Sequence, residues 1–412
     1  MNPNYLAMVR GTRELHQLHA AGKDDSPEAD AVRDATDGPW EALSEVERNR
    51  VRNLSEDLYS LVELPPSAQP LNPQAQAKLS EAFEASQRGE WDRALELIRR
   101  WAPFLAPDLV SFFRGRIWLS AGDTDTAILF FLEHASRLQP DNGNYLAIFL
   151  YALEKVNPAA AQERARQILQ DPDNNSPVVV VRAADIAFHA SQSLPETVTA
   201  LHFRQLTSVL DIAVSRIEAD AEAGVDLWHH GIAVLLQGFC HELVGNIQAA
   251  VDAVTRGLHV NPYNPDLLSV RGILLYGTSP RAVSDLELAI RNGSTEIWPF
   301  YFLAHNNLLA GRWEECRKLC ERVLEMNGSP AVMSEVSEWL GIAQAELGFP
   351  AEMVRAAFDN ANRLDPSNER AKRNLAKFEA ANKPISVKIW ETRSVSTVRA
   401  SSLPERRSTM AA

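Results

Sequence analysis

Pairs of small residues recur along this chain at one spacing, and the pairs themselves repeat. Ala82 precedes Ala94 by twelve positions, as Gly115 precedes Ala127, Gly238 precedes Ala250 and Ala304 precedes Cys316. From Ala82 to Gly115 is 33 residues, and from Gly238 to Gly272 is 34. Self-similarity at that period predicts stacked helical hairpins. Small residues on both helices let them approach closely, ridges entering grooves. Larger apolar residues flank each pair: Trp118 and Phe131 in one copy, Leu235 and Val254 in another. Gly122 and Gly245 fall in the turns, and Pro107, Pro140, Pro262 and Pro366 close copies because proline cannot continue a helix.

Three stretches carry this pattern most fully: 112–140, 238–265 and 339–368. With their turn glycine, two small residues and closing Asn261-Pro262 or Asp365-Pro366, they resemble the tetratricopeptide repeat (TPR) family. The resemblance implies an all-α fold, a right-handed superhelix of seven or eight hairpins acting through protein–protein interaction. The stretch from Ser26 to Leu61 also resembles a segment of bacterial, in particular planctomycete, TPR proteins, which implies no activity.

Departures from the pattern locate the irregular copies. Gly272 pairs with Ala282 at ten residues, so the sixth turn is expected to have lost two. Gly341 pairs with Val354, Phe358 and Ala361, which places an insertion near Phe349-Pro350. The third copy, 144–172, is poorly spaced, and 177–222 reads as two longer helices without a small pair.

The flanks differ in character. Residues 1–64 read as a separate helical element: Ser26-Pro27 starts one helix, a Ser44/Glu47 capping box starts another, and Leu43, Val46, Val51, Leu54, Leu58 and Leu61 mark its apolar face. A Pro-rich linker follows over 65–74, then the solenoid over 75–382, in which 368–382 supplies the polar-faced final helix. The tail 383–412 is rich in Ser, Thr and Arg and is expected to be disordered.

Composition narrows the function. The net charge is −13, and the tail contributes six cations against two anions, so the body is more acidic still and repels nucleic-acid phosphates. No apolar run reaches the length of a membrane span, and the N-terminus has no signal-peptide core. The expectation is a cytoplasmic protein without membrane or nucleic-acid partners. Three cysteines without a CxxC pair give no disulfide framework.

Candidate chemistry is sparse. Cys316 and Cys320 fall where Ala94 or Ala127 and Ile98 or Phe131 fall in other copies, which predicts core packing rather than metal ligation. His229, His230 and His241 are expected on a helix surface, and Gly245 stands where a zinc-protease helix needs its second histidine. Phosphate-loop, dinucleotide-binding and nucleophile-elbow motifs are missing, so no catalytic residue, cofactor or metal is assigned.

Geometry offers more. In stacked hairpins the first helices line a concave face. The helical period projects Phe83, Phe112, Arg116, Phe239, Tyr301, His305 and Glu338 onto it. Some TPR proteins clamp a peptide carboxylate with Lys and Asn there, whereas this set is mostly aromatic with Arg116 as its cation. It suits an apolar or helical peptide. The expected function is therefore a non-catalytic adaptor or scaffold holding a peptide or helix. Residues 1–64 or a second copy of the chain could also fill the groove. Two rivals remain: an enzyme with a dispersed or metal site at His229, His230 or His305, and a self-assembling structural solenoid.

Overall fold

The computed structural model describes residues 2–61, 73–191, 196–220, 226–326, 328–381, 390–395 and 398. These residues form helices α1 to α21 and no strand. Two compact units divide them, Met1–Ala187 and Phe188–Ala412. In the first unit, α1 (Pro3–Ala20), α2 (Pro27–Glu41) and α3 (Glu45–Tyr59) precede a hairpin of α4 (Pro73–Gln87) and α5 (Trp91–Trp101). Helix α6 (Pro107–Ser120) pairs with a broken partner of α7 (Thr124–Thr126), a π-helical turn over Ala127–Leu132 and α8 (Glu133–Leu138). Helices α9 (Gly143–Val156) and α10 (Pro158–Gln170) follow.

Helix α11 (Pro177–Ala190) contains the boundary, and α12 (Glu196–Ala219) is the longest helix at 24 residues. The second unit continues with α13 (Leu227–Leu243) and α14 (Ile247–Val260), then α15 (Pro265–Leu274) and α16 (Arg281–Arg291). It ends with α17 (Ile297–Leu309) and α18 (Trp313–Leu324), α19 (Pro330–Glu346) and α20 (Ala351–Leu364), and the single helix α21 (Glu369–Ala381).

The small pairs lie at helix crossings. A Cβ added at Gly238 would stand 2.8 Å from Val254 and 3.8 Å from the Ala250 carbonyl, and one at Gly272 would stand 3.0 Å from the Ala282 carbonyl. Hydrogen at these positions is what lets the helices close. Gly245 turns the fifth hairpin at φ 78°, a left-handed conformation that favours glycine. Asn246 then caps α14 by accepting from the Ala249 amide.

The shortened sixth copy differs from expectation. Helix α15 ends two residues after Gly272, whereas α13 runs five beyond Gly238. The connection over 275–280 is longer than the one over 244–246, not shorter. Two residues are missing from the start of α16, where Ala282 is second, while Ala250 is fourth in α14. The eighth copy's insertion falls in the connection 347–350, as its spacing predicts.

Residues 2–61 share a core with the first hairpins. Val9, Leu54 and Leu58 cluster with Ala75, Leu79, Ile98, Ile117 and Trp118. Asp57, fully buried on α3, lies 2.8 Å from Arg99 and 3.0 Å from Arg114. Burial pushes its carboxyl up while the two guanidiniums pull it down. The Ser44/Glu47 capping box and the Ser26 cap form as predicted. Val46 does not join the apolar face; it is 59% exposed in the first turn of α3, and packing begins at Val51. Of the predicted linker, Pro73 and Gln74 open α4, and the rest lies outside the described residues.

Candidate functional site

The part of the tail that is described is packed, contrary to the disorder its composition predicts. Residues 390–395 and 398 lie across helices α17, α19, α20 and α21 of the second unit. Trp390 is buried, its indole stacks on Phe358 at 6.2 Å, and its Nε1 donates to Glu346 at 2.8 Å. Asn374 on α21 reads the backbone of Glu391 from both sides. Its Oδ1 accepts from the Glu391 amide and its Nδ2 donates to the Glu391 carbonyl, each at 3.0 Å. The Glu391 carboxylate meets Arg373 at 2.8 Å and Lys377 at 3.1 Å, which hold its pKa below the usual range.

Arg393 enters a buried charge cluster. Its Nε lies 2.8 Å from Glu335, which also accepts from the Tyr301 hydroxyl at 2.6 Å and from Arg370 at 3.2 Å. Glu338, fully buried, accepts from Arg370 at 2.7 Å, Asn374 at 2.7 Å and Asn368 at 3.3 Å. Burial pushes the Glu338 carboxyl up, and Arg370 with the two amides pulls against it. Two carboxylates and two guanidiniums balance, one guanidinium coming from the tail. Buried charges persist only when paired in this way.

His305 holds the tail backbone. Its Nε2 donates to the Arg393 carbonyl at 3.1 Å, since that oxygen can only accept, and Nδ1 then accepts from Tyr276 at 2.9 Å. Burial lowers the ring's pKa to about 4, the Arg393 carbonyl working against it. Farther on, Val395 packs where Gly277 has no side chain; a Cβ there would stand 2.1 Å from the valine Cγ1. Val398 is fully buried in the same apolar cluster as Trp339 and Tyr301.

The projected set thus divides. Tyr301, His305 and Glu338 do share one face, and Trp339 joins them at 4.8 Å from Tyr301 and 5.1 Å from His305. All three are buried. Phe239 is also buried, in the core against Phe188 at 6.3 Å. In the first unit, Arg116 lies over the rings of Phe83 at 5.0 Å and Phe112 at 5.9 Å, and Phe112 meets Tyr145 at 4.5 Å. Those three predicted residues are half-buried.

Residues 2–61 belong to the first unit and send their ion pairs to Asp92, Arg99, Arg114 and Asp123 there. The segment seen on the second unit's face is 390–395 with Val398. Sequence reasoning missed Glu335, Arg370 and Asn374 as well. A lone tryptophan in a polar tail was the one signal for the strap.

Histidines and cysteines are committed elsewhere. Cys316 and Cys320 are buried in the core with sulfurs 3.9 Å apart, as the repeat alignment predicts. His230 is buried rather than on the surface: α13 packs between α12 and α14, and its Nε2 meets Glu218, which also binds Arg256. His229 pairs with Asp226 in the cap of α13. Among the described residues no three His, Cys, Asp or Glu side chains gather as metal ligands, and no helix is long and apolar enough to cross a membrane.

No family model matches the chain, and no curated protein does. Among solved structures it is similar to a tetratricopeptide repeat protein from Parabacteroides merdae ATCC 43184, with 13% identity and a TM-score of 0.41 over 66% of this chain and 100% of that one. The APC/C hetero-tetramer Cut9–Hcn1 matches at 11% identity and 0.38, over 88% of each chain. Naa15/Naa10 bound to HypK-THB matches at 13% and 0.32, over 89% of this chain and 62% of that one. Such scores carry no argument by themselves, so the fold rests on the hairpins, turns and crossings described above. The architecture is TPR-like.

Proposed function

We propose that this protein is a non-catalytic interaction scaffold whose second unit holds a segment of polypeptide, irregular over 390–394 and helical at Val395 and Val398, across α17, α19 and α21. The supporting observation is the strap itself. Asn374 and His305 bind its main chain, and such bonds serve any sequence in that conformation, while side-chain sockets add selectivity. Phe83, Phe112 and Arg116 form a second contact area in this reading, suited to aromatic or apolar partners. The acidic body favours protein partners over nucleic acid, and the cytoplasm is the proposed compartment on the sequence grounds given above.

A photo-reactive phenylalanine at Ala331 tests the reading. Ala331 is exposed and lines a cavity of about 320 Å³ with Tyr301, Glu335, Arg370 and Arg393. The full chain would also carry Trp390→Ala and Arg393→Glu, so that the face is vacated. Irradiation in source-cell lysate should crosslink a discrete segment of another protein. A vacated, folded face that captures nothing would count against the proposal.

A further inference from the structure

We infer that the strap is a tethered copy of the ligand, so that the partner's segment carries an aromatic residue, an acid, then an arginine two residues after the acid, then valine-sized groups. The inference rests on the peptide-holding reading above and adds the ligand's chemistry and its competitor. Removing Arg393 would leave Glu335 and Glu338 facing Arg370 alone, two negative charges against one positive in a buried site. That socket calls for a cation, and Tyr301 and Glu335 place its acceptor where a guanidinium fits. Removing Glu391 would leave Arg373 and Lys377 together at the rim, a cationic pair that favours an anion over a cation there. Asn374 and His305 bind the main chain at the two charged positions, which fixes the register.

Opposite charges in fixed order also set direction, because a reversed segment would place each charge against its own sign. The apolar sockets bracket them. Phe358 and Glu346 receive an indole with its N–H, and the bare Gly277 turn at φ 76° receives a branched residue. Any side chain at Gly277 would be strained in backbone and would displace Val395.

A tethered ligand competes at an effective concentration of roughly millimolar. A free segment of the same chemistry must therefore outbind the strap or meet it already released. The face is closed by the chain's own copy of what it recognises.

The test uses the intact chain and a fluorescent peptide of residues 388–399, read by anisotropy. Full-length Trp390→Ala/Arg393→Glu should bind this peptide at least tenfold more tightly than wild type does. A peptide bearing Arg393→Glu should lose at least tenfold on the same variant. The single variant Arg393→Ala, which removes one contact, should fall between wild type and the double variant. Equal binding by wild type and variants, or no discrimination against the charge-reversed peptide, would overturn the inference. Loss of helicity in both variants would overturn it too, since the strap would then be an inseparable part of the core. If Ala331 crosslinks a partner while the 388–399 peptide fails to bind, this inference falls and the peptide-holding reading stands. If neither occurs, both fall.

Discussion

The first-helix faces of the two units solve the same packing problem with opposite chemistry. In the first, Arg116 lies over Phe83 and Phe112, and the group stays half-buried. In the second, Glu335, Glu338, Arg370 and Arg393 form a buried charge cluster beneath Tyr301, His305 and Trp339. A cation over aromatic rings is stable at a wet surface. A buried carboxylate is stable only with its partners in place. The second face therefore depends on its cover and the first does not.

Four expected outcomes would break or sharpen that contrast. Glu338→Ala should cost the most, about 3–5 kcal/mol in urea unfolding, because it breaks the cluster's closest buried ion pair and leaves Arg370 and Arg393 to share Glu335 alone. A loss below about 1 kcal/mol would mean the cluster is already wet.

Acid should come next. The His305 pKa is about 4 in the folded protein against 6.5 for the free group, so the unfolded chain takes up its proton first as pH falls. Stability is complete above pH 6.5, erodes between 6.5 and 4, and the contribution lost is roughly 3 kcal/mol. Glu338, raised by burial, acts with the opposite sign. Comparing melting temperature against pH for wild type and His305→Gln isolates the histidine. Parallel curves would remove it from the account.

Trp390→Ala should cost about 2 kcal/mol, from apolar area returned to water and the bond to Glu346. Calorimetry that finds no change would mean the strap is loosely held. Arg116→Ala should cost least, about 0.5–1 kcal/mol at most. A larger loss would show the first face to be as dependent on its charge as the second.

Much of the fold was legible because it is local and periodic. Gly238/Ala250 and Gly272/Ala282 mark helix crossings through their size alone, and Ser44/Glu47 marks a helix start through its spacing. The face was half legible. The helical period brought Tyr301, His305 and Glu338 together, and likewise Phe83, Phe112 and Arg116. It could not say which positions are covered, because cover comes from a segment far along the chain. Phe239 shows the same limit, its ring turning into the core against Phe188.

The strap was illegible for a related reason. Trp390 stands apart from any periodic run, and Val395 and Val398 share a helical spacing too short to mark an element among polar neighbours. Such a segment gains most of its order from partners remote in sequence, as Glu335 is from Arg393. His230 was misread because α13 is enclosed by helices on both sides, so a polar residue found an interior partner in Glu218.

Hydrogen–deuterium exchange on the intact chain, wild type beside Arg393→Ala, tests the central claim most directly. Slow exchange is expected at the Glu391 and Val398 amides of wild type, which donate to Asn374 and Ser394. In Arg393→Ala, exchange should quicken there and along α19 and α21, with α4 and α6 unchanged. Wild-type exchange over 390–398 at the rate of an unstructured peptide would contradict it.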